Sequence, residues 1–255
     1  MSMKLFLALL FVVTSPLVCV TASAQQSDRK LNATEQGFEQ LMRKRYFPFG
    51  PLHEGREDLQ HVESLLATGN IGAETKDNAL QSAVSNGDIE LLLLLIRHGA
   101  NVNHEVENGG TILMIAAAHG FYVQCGNDPL VTSYTGNTAA VKALLDAGSR
   151  LDAKNNEGET ALMLAARHAR SGSVELLLSA GANVNLTNAH CETALMHAVE
   201  ASGGYAEENV NKIIMRLVSG GADLNARDEQ GKTALSHAPR SGAVTKMLIA
   251  AGAIE

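Results

Sequence analysis

Small and apolar residues recur along this chain in a block that begins with threonine and then mixes alanines with larger apolar side chains. The block occurs four times, at Thr111–Ala117, Thr160–Ala166, Thr193–Val199 and Thr233–Pro239. A glycine-led motif stands at one fixed distance before each block, at Gly99–Asn103, Gly148–Asp152, Gly181–Asn185 and Gly221–Asn225. Apolar runs precede these glycines, at Leu91–Ile96, Val141–Leu145, Val174–Leu178 and Ile213–Val218. This regularity indicates a repeat architecture.

Each repeating unit predicts two antiparallel helices and a projecting turn. The threonine caps the first helix, and small alanines allow that helix to pack closely. The leucine-rich run forms the second helix, which ends at a glycine that can adopt the left-handed conformation. The residues after that glycine turn the chain into a projecting finger. Since one such unit cannot bury its apolar face alone, we expect the units to stack into a solenoid.

The pattern resembles the ankyrin repeat, whose period is about 33 residues and whose signature reads Thr-Pro-Leu-His followed by paired alanine. The resemblance covers residues 59–255, with a partial unit first and then units that begin near Asn78, Thr111, Thr160, Thr193 and Thr233. Alanine replaces the proline of the signature, and its histidine is replaced at Met114, Met163, Met196 and Ser236. The resemblance implies an all-α solenoid of about five to six helix-turn-helix units with projecting finger turns and an N-terminal capping helix.

Two units are longer than the others, because successive unit starts are 33, 49, 33 and 40 residues apart. The extra residues fall between the first and second helix, at about 121–136 and 202–208. Ahead of the repeats, residues 25–58 predict a capping segment whose helix runs from Thr34 to Tyr46, with Asn32 or Thr34 as its N-cap.

Residues 1–24 have the pattern of a signal peptide. Lys4 precedes the apolar run Leu5–Val13, and Ala22-Ser23-Ala24 has the small-x-small form of a cleavage site. The run is shorter than the about 20 residues that span a bilayer. We therefore expect an exported protein without stable membrane insertion, periplasmic if bacterial and otherwise secreted.

Composition and charge narrow the class of partner. With 20 Lys and Arg against 27 Asp and Glu, the formal net charge is −7. Nucleic-acid binding needs clustered basic residues, so we do not expect it here. The 4% aromatic content and the absence of Trp suit a core of short, alanine-rich helices.

The sequence predicts no cofactor, metal site or catalytic centre. Gly231-Lys232-Thr233 lacks the earlier glycine of a phosphate-binding loop. None of the nine histidines follows a metal-ligand spacing, and His197 and His237 take the place of Ile115 and Leu164 in other units, which predicts packed histidines. Outside residues 1–24 the two cysteines are Cys125 and Cys191, and the sequence leaves open whether they pair.

The resemblance implies that a partner protein is held by finger residues and by the exposed ends of the first helices. The residues at these positions are Glu107, Asn108, Asn156, Glu157, Glu159, Arg167, His168, His190, Glu192, Glu200, Glu229, Gln230 and Arg240. Six of these residues are glutamates and two are arginines, so a partner with a basic patch is favoured. The insertions add Phe121, Tyr122, Tyr134 and Tyr205, and aromatic side chains either bind partners or pack the insertions on the solenoid.

Three functions are consistent with these features. The first is a non-catalytic binding module outside the cytoplasm, monomeric when free, that masks or inhibits a partner such as a self-damaging or toxic hydrolase. The second is a scaffold or accessory factor for another exported enzyme, for instance one of oxidative-stress defence. The third is an enzyme in its own right, for which the repeat positions supply no nucleophile, base and orienting group.

Overall fold

The computed structural model describes residues 31–46, 55–124, 132–203, 207–239 and 242–254. These residues form twelve α-helices and one two-stranded hairpin. The helices are α1 Ala33–Tyr46, α2 Gly55–Ala67, α3 Ala73–Asn86, α4 Ile89–Arg97, α5 Ile112–Ala118, α6 Thr138–Asp146, α7 Ala161–Arg167, α8 Ser171–Ser179, α9 Ala194–Glu200, α10 Glu207–Ser219, α11 Ala234–His237 and α12 Ala243–Ala250. The strands are β1 Gly120–Gln124 and β2 Thr132–Gly136. The predicted signal peptide lies outside the described residues.

The helices form six pairs that stack in sequence order. Each odd-numbered helix packs against its even-numbered partner and against the next odd-numbered helix. The odd-numbered helices therefore form an inner row and the even-numbered helices an outer row. This arrangement confirms the predicted all-α solenoid of five to six helix pairs.

Capping threonines start the inner helices, as predicted. The Oγ1 atoms of Thr111, Thr160 and Thr193 accept hydrogen bonds from the backbone N–H three residues later, at 3.3, 3.3 and 3.5 Å. These threonines are buried, so their side chains satisfy N–H groups that water cannot reach. At the other end of each unit, glycine takes the left-handed conformation, with φ of 84° at Gly148 and 91° at Gly181.

The core is a continuous row of alanine and leucine side chains between the inner and outer helices. Leu162 on α7 and Leu195 on α9 are 2% and 0% exposed. Ala165 and Ala166 on α7 and Ala198 on α9 are also buried, and these small side chains let neighbouring inner helices approach closely. The small side chains thus explain how short helices of seven residues produce a dry core.

A ladder of hydrogen bonds joins the turns that follow the outer helices of neighbouring units. A side-chain oxygen of one turn accepts a backbone N–H of the next: Asn103 from Arg150 at 2.7 Å, Asp152 from Asn183 at 3.1 Å, Asn185 from Asp223 at 2.8 Å and Asn225 from Ile254 at 3.0 Å. At the first of these turns, the acceptor is Asp77 within α3, which accepts the Asn101 N–H at 2.7 Å. The ladder sets the spacing between units on the side where the fingers begin.

The N-terminal helix pair covers the first repeat. Asn32 is the N-cap of α1, because its Oδ1 accepts the Glu35 N–H at 2.8 Å while the Glu35 carboxylate accepts the Asn32 N–H at 3.1 Å. Phe38 is fully buried, and Arg45 forms an ion pair with Asp88 at the start of α4. The boundary that we predicted at residue 59 falls inside α2.

Three local features differ from the sequence-based expectations. Helix α3 begins at Ala73 with Gly72 as its N-cap, so Asn78 lies within the helix and does not start it. The insertion at 121–136 contains the strands β1 and β2, which pair as an antiparallel ribbon. The second insertion supplies a short 3-10 turn at Ala201–Gly203 and lengthens α10 to 13 residues, whereas α6 and α8 have nine each.

Candidate functional site

The fingers are the turn segments 99–110, 148–159, 181–192 and 221–232, which project from the edge of the stack where each inner helix begins. Each of the last three finger tips donates one backbone N–H to a carbonyl of the preceding tip, at 2.9 Å in every case: Asn156 to Asn108, Ala189 to Glu157, and Glu229 to His190. The four tips are therefore joined in one continuous chain. Since these bonds use only the backbone, the side chains of the tips remain available for other contacts.

An Asx turn holds each of the last three tips in its conformation. The Oδ1 of Asn155 accepts the N–H groups of Glu157 and Glu159, at 3.0 and 2.8 Å. Asn188 and Asp228 accept two N–H groups in the same way in the next fingers. These three residues were not predicted from the sequence to position the finger tips. Their constant place, five residues before a capping threonine, is the signal that would have found them.

Most predicted finger residues lie together at this surface. The exposed members are Asn108, Asn156, Glu157, His190, Glu229 and Gln230. His190 donates from Nδ1 to Glu229 Oε2 at 3.1 Å, and this hydrogen bond raises the pKa of His190. The backbone of Glu107 lies in the same finger as Asn108, in a 3-10 turn. Among the described residues, the tips thus form one edge with two exposed carboxylates, those of Glu157 and Glu229.

Glu159 does not lie at the surface, contrary to its predicted contact with a partner. It is 3% exposed, and its carboxylate forms an ion pair with Arg167 and accepts Asn155 Nδ2 at 3.1 Å. Arg167, at the end of α7, keeps 39% of its side chain exposed. Glu159 is therefore a positioning residue that anchors Arg167 at the end of the inner helix.

Beside this pair, His168 and Arg170 follow the last residue of α7. His168 is the C-cap of α7 and is half-buried. Burial first, and then the charges of Arg170 and Arg167, lower the pKa of His168. Arg170 Nε donates to the Ala118 carbonyl at 3.0 Å, which ties this end of α7 to the end of α5. Both arginines at this end of α7 are thus held by protein groups, Arg167 by the Glu159 carboxylate and Arg170 by the Ala118 carbonyl.

A second polar cluster crosses from α9 to α11. His197 is 2% exposed, with Glu192 Oε2 at 3.7 Å from Nε2 and Glu200 Oε2 at 4.0 Å from Nδ1. Burial, together with the charge of Arg167, lowers the pKa of His197 to about 4, so the ring is neutral near pH 7. Glu192 and Glu200 keep 24% and 46% of their side chains exposed. Both therefore contribute negative charge to the inner surface beside a neutral histidine.

His237, one unit further along, also contacts carboxylates. Its Nε2 lies 2.7 Å from Asp228 Oδ2 and its Nδ1 lies 3.1 Å from Glu200 Oε1. Burial alone would raise the pKa of Asp228, but hydrogen bonds from Lys232 N–H, the His237 ring and Gln230 N–H lower it below the usual value. The prediction that His197 and His237 are packed within the stack is confirmed.

The predicted aromatic residues belong to a separate element. Tyr122 and Tyr134 are direct cross-strand partners in the ribbon, and Phe121 is paired with Thr135. The ribbon lies between α5 and α6 in the chain, and β2 contacts α8. Tyr205 and Arg240 lie outside the described residues. The role of the aromatic side chains in binding stays a prediction.

Among the residues that the structure describes, no group of three or more His, Cys, Asp or Glu could hold a metal ion. Nor does any helix within those ranges have the length and apolarity to cross a membrane. Cys191 is exposed at a finger tip, with φ of 61° where other fingers have glycine. Cys125 lies outside the described ranges, so the pairing of the two cysteines stays untested.

Comparison with known proteins identifies relatives of the helix-pair units. The family model for ankyrin repeats (3 copies) matches residues 54–127 and 123–188, which is more than half of the chain. A human protein, ankyrin repeat and SOCS box protein 14, is 47% identical over 47 residues. That match covers 18% of this chain and 8% of the human protein, so the chain spans less than a tenth of the length of this curated relative.

Proposed function

Because this chain belongs to the ankyrin-repeat family, we propose that it is a non-catalytic module that holds a partner protein on its finger tips and inner helices, outside the cytoplasm. Ankyrin repeats mediate binding to other proteins, and the family is typically non-catalytic. The observation that carries the proposal is the backbone chain between the four finger tips. Such a chain presents exposed side chains in a fixed order, which reduces the ordering cost of binding.

The charge of this surface supports a partner with a basic patch. Glu157 and Glu229 are exposed on the second and the fourth finger, and Glu192 and Glu200 add partly exposed carboxylates along the inner helices. Among the described residues that we predicted to bind a partner, only Arg167, His168 and His190 have basic side chains. Complementary charge speeds association and selects among partners more than it raises affinity.

The location and the consequence of binding are also part of the proposal. Residues 1–24 have the signal-peptide pattern, which supports export. A solenoid of six helix pairs offers an extended surface. The face of a partner that lies along this surface is no longer accessible to other molecules. We therefore infer that the protein, monomeric when free, masks or inhibits an exported partner such as a hydrolase that would damage the cell.

Capture from an extracytoplasmic extract tests this function. The bait is residues 25–255, compared with a double variant in which Glu157→Lys and Gln230→Lys reverse the charge of the tips. Both residues use only backbone atoms in the tip hydrogen bonds, so the fingers keep their conformation. The control carries the same charge change on the outer helices, Glu90→Lys with Gln60→Lys, where both side chains are exposed.

We expect one partner to be retained by the natural chain and by the control but lost by the finger variant. Equal capture by all three proteins would place the binding surface elsewhere. The purified partner is then assayed with and without the bait: reduced activity supports masking, whereas unchanged or increased activity contradicts masking and favours a scaffold.

The ribbon between α5 and α6 is tested separately. Residues 121–136 are replaced by a short glycine-containing turn that restores the regular repeat length. A binding role predicts unchanged helical content and melting temperature with loss of the partner. Loss of the fold would instead show that the ribbon packs on the solenoid, and retention of both stability and partner would exclude it from the interface.

A further inference from the structure

The dipeptide Asn-Gly occurs twice in the sequence, at 86–87 and at 108–109. A backbone nitrogen that follows asparagine can attack the side-chain amide of that asparagine, and glycine favours the attack because it has no Cβ to obstruct ring closure. The fold places the two dipeptides in different surroundings. Asn86 is the last residue of α3, whereas Asn108 lies at the tip of the first finger.

Asn86 is held by hydrogen bonds to its helix. Its Nδ2 donates to the Ser82 carbonyl at 2.8 Å, and the following Gly87 N–H donates to the Val84 carbonyl at 3.2 Å. Both groups that would react, the side-chain amide and the next backbone nitrogen, are thus engaged with α3. Ring closure at Asn86 therefore requires the last turn of the helix to open.

The first finger lacks the side-chain acceptor that fixes the other finger tips. In the three later fingers, an Asn or Asp five residues before the capping threonine accepts N–H groups of the tip. The equivalent position before Thr111 is Val106, whose side chain has no acceptor. The first tip is therefore less restrained than the other three, and a less restrained turn opens locally more often.

Asn108 is exposed at this tip. In the part of the chain that the structure describes, no group forms a hydrogen bond with its side-chain amide. Its backbone carbonyl accepts the Asn156 N–H at 2.9 Å, which is the first link of the tip chain. This hydrogen bond polarises the peptide between Asn108 and Gly109, and a polarised peptide releases its N–H proton more easily. The reacting carbon is thus accessible and the attacking nitrogen is activated.

We propose that Asn108 is a site of spontaneous deamidation and isomerisation in the folded protein, which breaks the first link of the tip chain. The Gly109 nitrogen loses its proton to hydroxide and bonds to Cγ of Asn108, while the Cγ–Nδ2 bond breaks and ammonia leaves with a proton from water. Water then opens the cyclic imide. Cleavage between the nitrogen and Cγ gives aspartate, and cleavage between the nitrogen and the backbone carbonyl carbon gives isoaspartate.

Both products change the finger-tip surface. Each adds one negative charge to the edge that carries Glu157 and Glu229. In isoaspartate the main chain runs through Cγ, so the oxygen that accepted the Asn156 N–H belongs to a side branch and is displaced from the next tip. The proposal does not rest on the proposed binding function, since the reaction needs only the free protein and water.

Incubation in water enriched in heavy oxygen tests the reaction. Residues 25–255 are kept at pH 8, and the peptides that contain the two dipeptides are quantified by mass spectrometry. We expect Asn108 to react about tenfold faster than Asn86, because a finger opens more readily than a helix. Each product should carry one heavy oxygen, since water opens the imide. In guanidinium chloride the two dipeptides should react at similar rates, because the fold no longer distinguishes them.

The missing acceptor is tested by Val106→Asn, which supplies it and should slow the reaction at Asn108 severalfold. The matched control Val106→Ala removes the same packing without adding an acceptor, so it should not slow the reaction. If Val106→Asn does not fold, the comparison of the two dipeptides in the natural chain still decides the outcome.

The consequence for the tip chain is measured by hydrogen exchange. The Asn156 amide should exchange faster in the converted protein, while the helices stay protected. Asn108→Gly keeps the backbone conformation, because glycine readily adopts the φ of 62° found there, and its Asn156 amide should stay protected throughout the incubation. Equal rates at Asn86 and Asn108 in the folded chain, or full protection of the Asn156 amide after conversion, would refute the proposal.

Discussion

Replacing His197, the buried histidine of α9, should reduce the fall in unfolding free energy that the protein shows at acidic pH. His197 has a pKa of about 4 in the folded state, because burial and the charge of Arg167 disfavour the imidazolium form. In the unfolded chain, the same ring titrates near 6.5. Between these values, the unfolded state binds more protons than the folded state. The free energy of unfolding therefore decreases as pH falls from about 6.5 towards 4.

The size of this effect follows from the two pKa values. A difference of one pKa unit corresponds to about 1.4 kcal/mol, so the full contribution of His197 is roughly 3 kcal/mol below pH 4. At pH 5, the ring is already protonated in the unfolded chain but still mostly neutral in the fold. The expected loss at pH 5, relative to pH 8, is about 2 kcal/mol.

The substitution His197→Leu isolates this contribution, because leucine stands at the equivalent position 164 and does not titrate. Urea unfolding at pH 5 and pH 8, followed by circular dichroism, gives the change in unfolding free energy for each protein. The change should be smaller by about 2 kcal/mol in the variant, and His61→Leu on the exposed side of α2 should behave like the natural chain. If His197→Leu retains the full pH dependence, the ring is not held neutral in the fold and the reasoning fails.

Three further predictions concern the repeat register, the fingers and the mature N-terminus. Leu162→Ala and Leu195→Ala should each reduce stability by about 2 to 5 kcal/mol in urea melts, whereas Glu157→Ala should change it by less than about 0.5 kcal/mol; three equal values would contradict the register. Asn155→Ala should cost about 1 to 2 kcal/mol, because two N–H groups lose their acceptor, and exchange should speed up in that finger before the helices; unchanged finger exchange would argue against the Asx turn. Mass spectrometry of extracytoplasmic material should find a mature chain that begins at Gln25, and an intact N-terminus in the cytoplasm would contradict export.

The repeat units could be predicted from the sequence because their signals are local. Thr160 accepts a hydrogen bond from a residue three positions later, and Gly181 ends a helix through its own φ angle. Each signal acts within a few residues and is repeated at a regular spacing, so the pattern needs no knowledge of distant contacts. The start of α3 was placed five residues late because its N-cap is Gly72 and not a threonine, so the helix begins before the position that aligns with the threonines of the other units.

The candidate site was predicted less completely, because its geometry depends on contacts between units. Repeat alignment placed Glu159 beside exposed finger residues, yet the carboxylate turns inward to Arg167. The position of a residue in the repeat does not determine the direction of its side chain, because that direction depends on the side chain that it contacts. For Glu159 that side chain is Arg167, which lies eight residues later, at the other end of α7.

By itself, the sequence determined the repeat, the order of the helices and the position of the fingers, because capping, turn formation and apolar periodicity are properties of short segments. Only the tertiary structure decided which polar groups face each other across units. Glu200 and His237 are 37 positions apart in the sequence and 3.1 Å apart in the fold. That proximity arises from the stacking distance between α9 and α11, and stacking distance is set by the packed side chains of both helices together and not by either segment alone.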